Sequence, residues 1–186
     1  MEKILNRKEG KLLADRIAKE AGVKVYECYQ CGKCSAGCPM AQSMDIMPRQ
    51  LVHYLQLGDM NSIMRSKTIW MCASCHTCVE RCPHDIDIPT LIEKSRQAAK
   101  ARGLVAVMEV DRFNDIFMET VRYTGKSQEV ILEGAYNVTT GHLLQDMKNV
   151  PRMLQKNIVR PEFNTVQNRE EIKKIMKRTE EGGIDK

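Results

Sequence analysis

The sequence predicts a mainly α-helical protein, on three observations. Apolar residues recur at helical spacing in stretches that open at Pro or a capping residue and close at Gly. The eight cysteines fall in two tight runs, and the segment between the runs is long enough for two helices. A length of 186 residues suits one domain with helical extensions.

The elements follow in order. Residues 6–22 read as a helix with Leu12, Leu13, Ile17 and Ala21 on one face and Gly22 as its stop. Four cysteines and a proline occupy 28–39. Pro48 opens a helix that carries Leu51, Val52 and Leu55 and ends at Gly58. The second cysteine run fills 72–83. Pro89 opens a helix that ends at Gly103, and a longer one covers about 105–123, with Val110, Phe113, Phe117 and Val121 as a core-facing stripe. Beyond about 125 the pattern weakens, interrupted by Pro151 and Pro161. Residues 168–181 form a charged helix, acidic early and basic late, as the helix dipole favours. It reads equally as a solvated terminal helix and as an arm that folds on a partner.

Composition excludes several classes. The N-terminus lacks an apolar stretch of signal-peptide length, and the longest aliphatic run, Leu104 to Met108, is far too short to span a bilayer. A soluble, cytoplasmic protein is expected. With three Phe and one Trp, aliphatic residues and the twelve Met must fill the core. Cysteine is about 4% of the chain, below a disulfide scaffold's density, and clustered cysteines without an export signal point to metal ligation.

Each run reads C-x2-C-x2-C-x3-C-P. The first is Cys28, Cys31, Cys34, Cys38 and Pro39; the second is Cys72, Cys75, Cys78, Cys82 and Pro83. Zinc takes four ligands, usually from two separated pairs. Three closely spaced thiolates with a fourth before Pro match the run that holds a 4Fe-4S cube. The pattern occurs twice and uses every cysteine, so two 4Fe-4S clusters are expected. In two-cluster ferredoxins the Cys before Pro serves the other cluster. The expected sets are Cys28, Cys31, Cys34 and Cys82, and Cys72, Cys75, Cys78 and Cys38. The repeat continues past the cysteines, as MDIMP at 44–48 and IDIP at 86–89, each leading into a helix.

The full expectation is a helical ferredoxin-like domain with helical N- and C-terminal extensions. Its parts are an N-terminal helix at 1–22, a duplicated two-cluster domain at 23–103 and a C-terminal, partner-docking extension at 104–186. A ligated cube with four thiolates carries about −2, so two offset about four of the five excess positive charges. No basic stripe interleaved with aromatics is present, which argues against nucleic acid.

Gly32 and Gly37 let backbone N–H groups approach the sulfurs, or serve as turn glycines. Lys33, His76 and Arg81 place positive charge near the clusters. His53, His76, His84 and His142 are not expected to ligate, because the cysteine sets are complete. No G-x-G-x-x-G or phosphate loop is present and no cysteine is left over, so no catalytic residue is expected.

The duplicated CYQCGKCSAGCP and CASCHTCVERCP, the helices between them, the short N-terminal helix and the length resemble the C subunit of the soluble heterodisulfide reductase of methanogenic archaea. The resemblance extends over most of the chain, with its specific motifs between 28 and 89. It implies a non-catalytic relay that passes single electrons through two clusters. The donor would be the flavin-containing, electron-bifurcating A subunit. The acceptor would be the cysteine-rich B subunit that reduces the mixed disulfide of coenzymes M and B in methanogenesis. A hydrogenase or formate dehydrogenase would feed the complex. Two related families compete. The iron–sulfur subunit of succinate dehydrogenase or fumarate reductase adds an upstream plant-type domain, and only 27 residues precede Cys28. Glycolate-oxidase-type subunits add cysteine-rich repeats downstream. A cluster-organised structural module is the alternative from another class.

Overall fold

The computed structural model describes residues 4–141, 150–156 and 166–181, and the described residues contain helices and no strand. Pro161 and His142 lie outside them. The contacts divide the chain into two compact units, Met1–Val107 and Met108–Lys186.

The first unit opens with α1, Arg7–Glu20. Its start is set by a capping box: Glu9 N–H donates to Asn6 Oδ1 at 2.9 Å, and Asn6 N–H donates to Glu9 Oε2 at 3.0 Å. The expected apolar face packs only in part, through Ile17. Gly10, Ala14, Ile17 and Ala18 are buried, whereas Leu12 is 63% exposed. The reason lies in α3, Pro48–Leu57, whose C-cap Gly58 sits at φ 75°. A Cβ on Gly10 would collide with the Gly58 carbonyl oxygen, and a Cβ on Gly58 would lie 2.8 Å from Lys11 Cα. Two glycines therefore let the helices cross at backbone contact, and close approach selects the small-residue face over the larger leucines.

Gly10→Ala would ordinarily gain about 1 kcal/mol of helix propensity. Here the new methyl meets a backbone oxygen that cannot rotate away, so a net loss of roughly 1–3 kcal/mol is expected. Anaerobic thermal denaturation reads this directly. A melting temperature that is unchanged or raised would refute the close crossing.

Between the cysteine runs stand three helices rather than two: α3, then α4 (Met60–Met64) and α5 (Thr68–Met71). Pro48 at N1 and left-handed Gly58 bound α3 as the sequence predicts. After the second run comes α7, Ile88–Lys100, capped by Asp87, which accepts from Thr90 N–H at 3.1 Å. Helix α1 packs on α3, α4 and α7, and α4 and α5 pack on α7. Leu51, Val52, Leu55, Met60, Ile63, Met64, Ile69 and Leu91 are fully buried, an aliphatic core with methionine filling gaps. Each such leucine contributes about 1.5–3 kcal/mol.

The second unit holds α8 (Met108–Thr124), α9 (Glu129–Thr140), α10 (Val150–Gln155) and α11 (Arg169–Glu181). The stripe expected to be core is not buried. Phe113 is 42% exposed and Phe117 36%, while Thr120 and Thr124 are the buried residues of α8. Both threonine hydroxyls donate to carbonyls one turn back, at 2.8 Å, so their burial costs little. Helix α8 packs on α9, where Phe113 stands edge-on to Tyr136, and on α11, whose Met176 is buried. Helix α9 has no clear signature in the sequence, because Gly134 and its β-branched residues blur both propensity and period. Among the described residues no helix is long and apolar enough to cross a membrane.

Candidate metal centre

The two cysteine runs adopt the same backbone. In the first, Gln30 and Gly32 have φ of 64° and 83°; in the second, the equivalent Ser74 and His76 have 49° and 58°. Left-handed residues at these positions turn successive N–H groups inward, a geometry that favours an anion. Three of the four are not glycine, and each bears a conformational cost of order 1 kcal/mol. Each loop then enters a one-turn helix, α2 (Lys33–Ala36) or α6 (Thr77–Glu80). Helices α2 and α6 pack together, α2 touches α3, and α6 touches α7. The duplication legible in the sequence is thus a paired arrangement of loop, turn and following helix.

At this junction Gly37 and Arg81, equivalent residues of the two runs, meet. A Cβ on Gly37 would lie 2.6 Å from Arg81 Cδ and 2.7 Å from its Nε, so the arginine side chain lies across the glycine of the other run. Glycine here makes room for a guanidinium rather than serving its own turn.

Cys38 of the first run lines an apolar cleft together with Cys72, Cys75 and Cys78 of the second. Pro39 and His76 also line it. On the other side, the thiols of Cys31, Cys82 and Cys28 all act on the Tyr29 phenol. Partial burial and these three neighbours raise it above its ordinary value. Tyr29 also stands edge-on to His84, with ring centroids 5.2 Å apart. Cys31 and Cys75, the same position in each run, are exposed; the other six cysteines are half-buried. Lys33 is exposed on α2, and Pro83 is exposed beyond Cys82.

The donor set fits iron–sulfur clusters. Burial first, and neighbouring Cys72 next, pushes the Cys78 thiol up to about 12. Burial also raises the Cys34 thiol, against hydrogen bonds from Ser35. Such sulfurs become thiolates at neutral pH when a metal centre displaces the proton. The Thr77 hydroxyl, 3.4 Å from Cys75 Sγ, holds that exposed thiol below its ordinary value. Among the described residues no three His, Cys, Asp or Glu side chains gather tightly enough for a single ion. A four-iron core, by contrast, takes ligands spread around a larger object.

Several contacts at the runs have no signal in the sequence. Gln30 Nε2 donates to Cys28 Sγ at 3.3 Å. Gln56, from α3, donates to the carbonyls of Val25 and Cys28 at 2.8 and 3.0 Å, anchoring the first loop. Asp45 departs from its repeat partner. Asp87 caps its own helix, but Asp45 accepts from Lys67 N–H at 2.9 Å and Thr68 N–H at 3.1 Å, capping α5, which leads into Cys72. Burial would raise the Asp45 carboxyl, but these bonds outweigh it and hold the group below the usual carboxylate range.

Residues 24–86 match the family model of the 4Fe-4S dicluster domain. The segment is a dicluster domain and carries two 4Fe-4S clusters. The chain is similar to the iron–sulfur C subunit of the CoB–CoM heterodisulfide reductase of Methanopyrus kandleri. The two are 35% identical over 88 residues, 47% of this chain and 46% of that protein. The C2 subunit of the H2/formate:CoB–CoM heterodisulfide,ferredoxin reductase of Methanococcus maripaludis is 37% identical over 79 residues, 42% of each chain. The iron–sulfur C 2 subunit of the CoB–CoM heterodisulfide reductase of Methanocaldococcus jannaschii is 35% identical over 99 residues, 53% of this chain and 50% of that one. The chain spans about half the length of the curated relatives it matches, so the similarity covers less of it than a whole-chain resemblance would. The dicluster domain lies within the first unit.

Proposed function

We infer that this chain is the electron-relay subunit of a heterodisulfide reductase. Cys28, Cys31, Cys34 and Cys82 hold one cluster, and Cys72, Cys75, Cys78 and Cys38 hold the other. The observation that supports the reading is that Cys38 of the first run lines one cleft with Cys72, Cys75 and Cys78 of the second. Two 4Fe-4S clusters supply reversible one-electron storage. The residues of the chain do the rest. The left-handed turns of both loops favour an anion, and the Gln30 amide donates to Cys28 Sγ. Met40, Met44, Ile88 and Ile92 give the second site an apolar wall. Exposed Cys31 and Cys75 bring each site to the surface, where partner proteins can reach it.

The relatives' names and the family resemblance supply the rest of the proposal. The donor is the flavin-bearing, electron-bifurcating A subunit, itself fed by a hydrogenase or formate dehydrogenase. The acceptor is the cysteine-rich B subunit, which reduces the CoM–CoB heterodisulfide. All eight cysteines are committed to clusters, so no thiol of this chain is free to engage a disulfide sulfur.

Heterodisulfide reduction with a chemical reductant tests this, comparing this chain alone, the catalytic partner alone and the two together. Turnover is expected only where the partner is present, and faster with both. Turnover by this chain alone would place the active site here and overturn the relay reading. Clusters that fail to cycle reversibly in a redox titration would favour a structural role.

A further inference from the structure

The two loops share a backbone but not a charge. Around the first lie three cationic side chains. Lys33 opens α2. Arg49 brings its Cδ to within 3.9 Å of a Cβ placed on Gly32. Arg81 lies across Gly37. All three are exposed, and none forms an ion pair among the described residues. The carboxylates near this loop are otherwise engaged or unpaired with them. Glu27 accepts from Lys24 Nζ at 3.0 Å, and Asp45 caps α5. Glu80 and Asp85 make no ion pair with any of the three. The duplication provides an internal comparison. Where the first copy has Lys33 and Arg49, the second has Thr77 and Thr90, both neutral, and Arg81 of the second copy is the residue turned onto the first. Cations that merely offset cluster charge would be expected at both sites, since both clusters carry the same charge. Here the two equivalent positions are cationic in the first copy alone, which holds exposed Cys31.

We propose that the first loop, around Cys31 with Lys33, Arg49 and Arg81, is the docking face for a redox-partner protein that presents an acidic surface. Unpaired cations around an exposed electron-transfer ligand steer an anionic partner and align it there. The second loop has Thr77 and Thr90 where the first has Lys33 and Arg49, and so offers less such attraction. The inference rests on the relay reading.

The test uses the intact chain with both clusters and two one-electron donors of opposite charge: a reduced flavodoxin, whose surface is acidic, and the methyl viologen radical cation. Stopped-flow reduction at low and high salt is compared for the native chain, Lys33→Glu/Arg49→Glu, and the matched Lys8→Glu/Lys19→Glu on α1. Iron content confirms that each variant holds its clusters. The expected result is a drop of about tenfold or more in the rate with flavodoxin for Lys33→Glu/Arg49→Glu at low salt. That variant should also lose salt dependence and show weaker binding of oxidised flavodoxin by calorimetry. Its rate with methyl viologen should be unchanged or faster, and Lys8→Glu/Lys19→Glu should behave as the native chain.

Equal slowing with both donors would mean a changed cluster potential rather than docking, and would overturn the proposal. Unchanged flavodoxin rates, or an equal drop in the α1 variant, would overturn it as well. If neither donor reduces the native clusters, the relay reading fails with it, an outcome distinguishable from the others.

Discussion

A Cys38→Ser/Cys75→Ser double variant is expected to retain about four irons per chain, while Cys38→Ser/Cys31→Ser loses most of its iron. If the fourth cysteine crosses, Cys38 and Cys75 serve one site, so both lesions fall on a single cluster and the other survives. Cys38 and Cys31 then serve different sites, and both clusters are damaged. The mirror pairs follow the same logic. Cys82→Ser/Cys31→Ser keeps one cluster, and Cys82→Ser/Cys75→Ser keeps neither. If each run closed on its own cube, all four outcomes would invert. Iron and sulfide assays on anaerobically prepared protein read the stoichiometry, which for the native chain is expected to be about eight of each. EPR of the reduced samples separates an intact cube from a three-iron remnant. The inversion makes the experiment decisive even if each substitution destabilises the fold, because the comparison lies between variants with equal numbers of lesions.

Replacing Cys31 or Cys75 with Ala is expected to lower electron delivery to the catalytic partner by at least about tenfold. These are the two exposed cysteines, one per run. Removing either damages one site while leaving the half-buried cysteines and the helical core in place. Because a relay works in series, loss at one site interrupts the path as fully as loss at the other. The partner's own site is untouched, so its reduction by a small chemical reductant should persist in the same samples. Retained delivery in either variant would show that one of the clusters lies off the path.

Much of the site was legible in the sequence because its information is local. Spacing alone places three sulfurs of each run on one loop, and a following Pro turns the chain away. Helices α3 and α7 were legible for the same reason, each bounded by Pro and by Gly in close sequence. The two helical expectations that failed, for α1 and α8, concern what a helix faces, which is not local information. Periodicity groups Leu12, Leu13 and Ile17, but it cannot register that Gly10 meets Gly58 from another helix. The stripe of Val110, Phe113, Phe117 and Val121 has the spacing of a core face, yet its neighbours α9 and α11 leave the phenylalanines partly open. In α9 propensity and period disagree, so only packing against α8 reveals it.

The sequence by itself determined the number of clusters and the duplicated plan, because covalent spacing limits where sulfurs on one loop can go. Tertiary structure decided how the two copies differ. It sends Asp45 to cap α5 while Asp87 caps its own helix, lays Arg81 over Gly37, and brings Arg49 beside Gly32. These contacts join residues far apart in the chain, and a repeat aligned by sequence treats its copies as equals. Two copies packed against each other need not stay equal. Where they meet, a side chain from one can occupy the space left by a missing side chain in the other, so glycine stands on one side and arginine on the other.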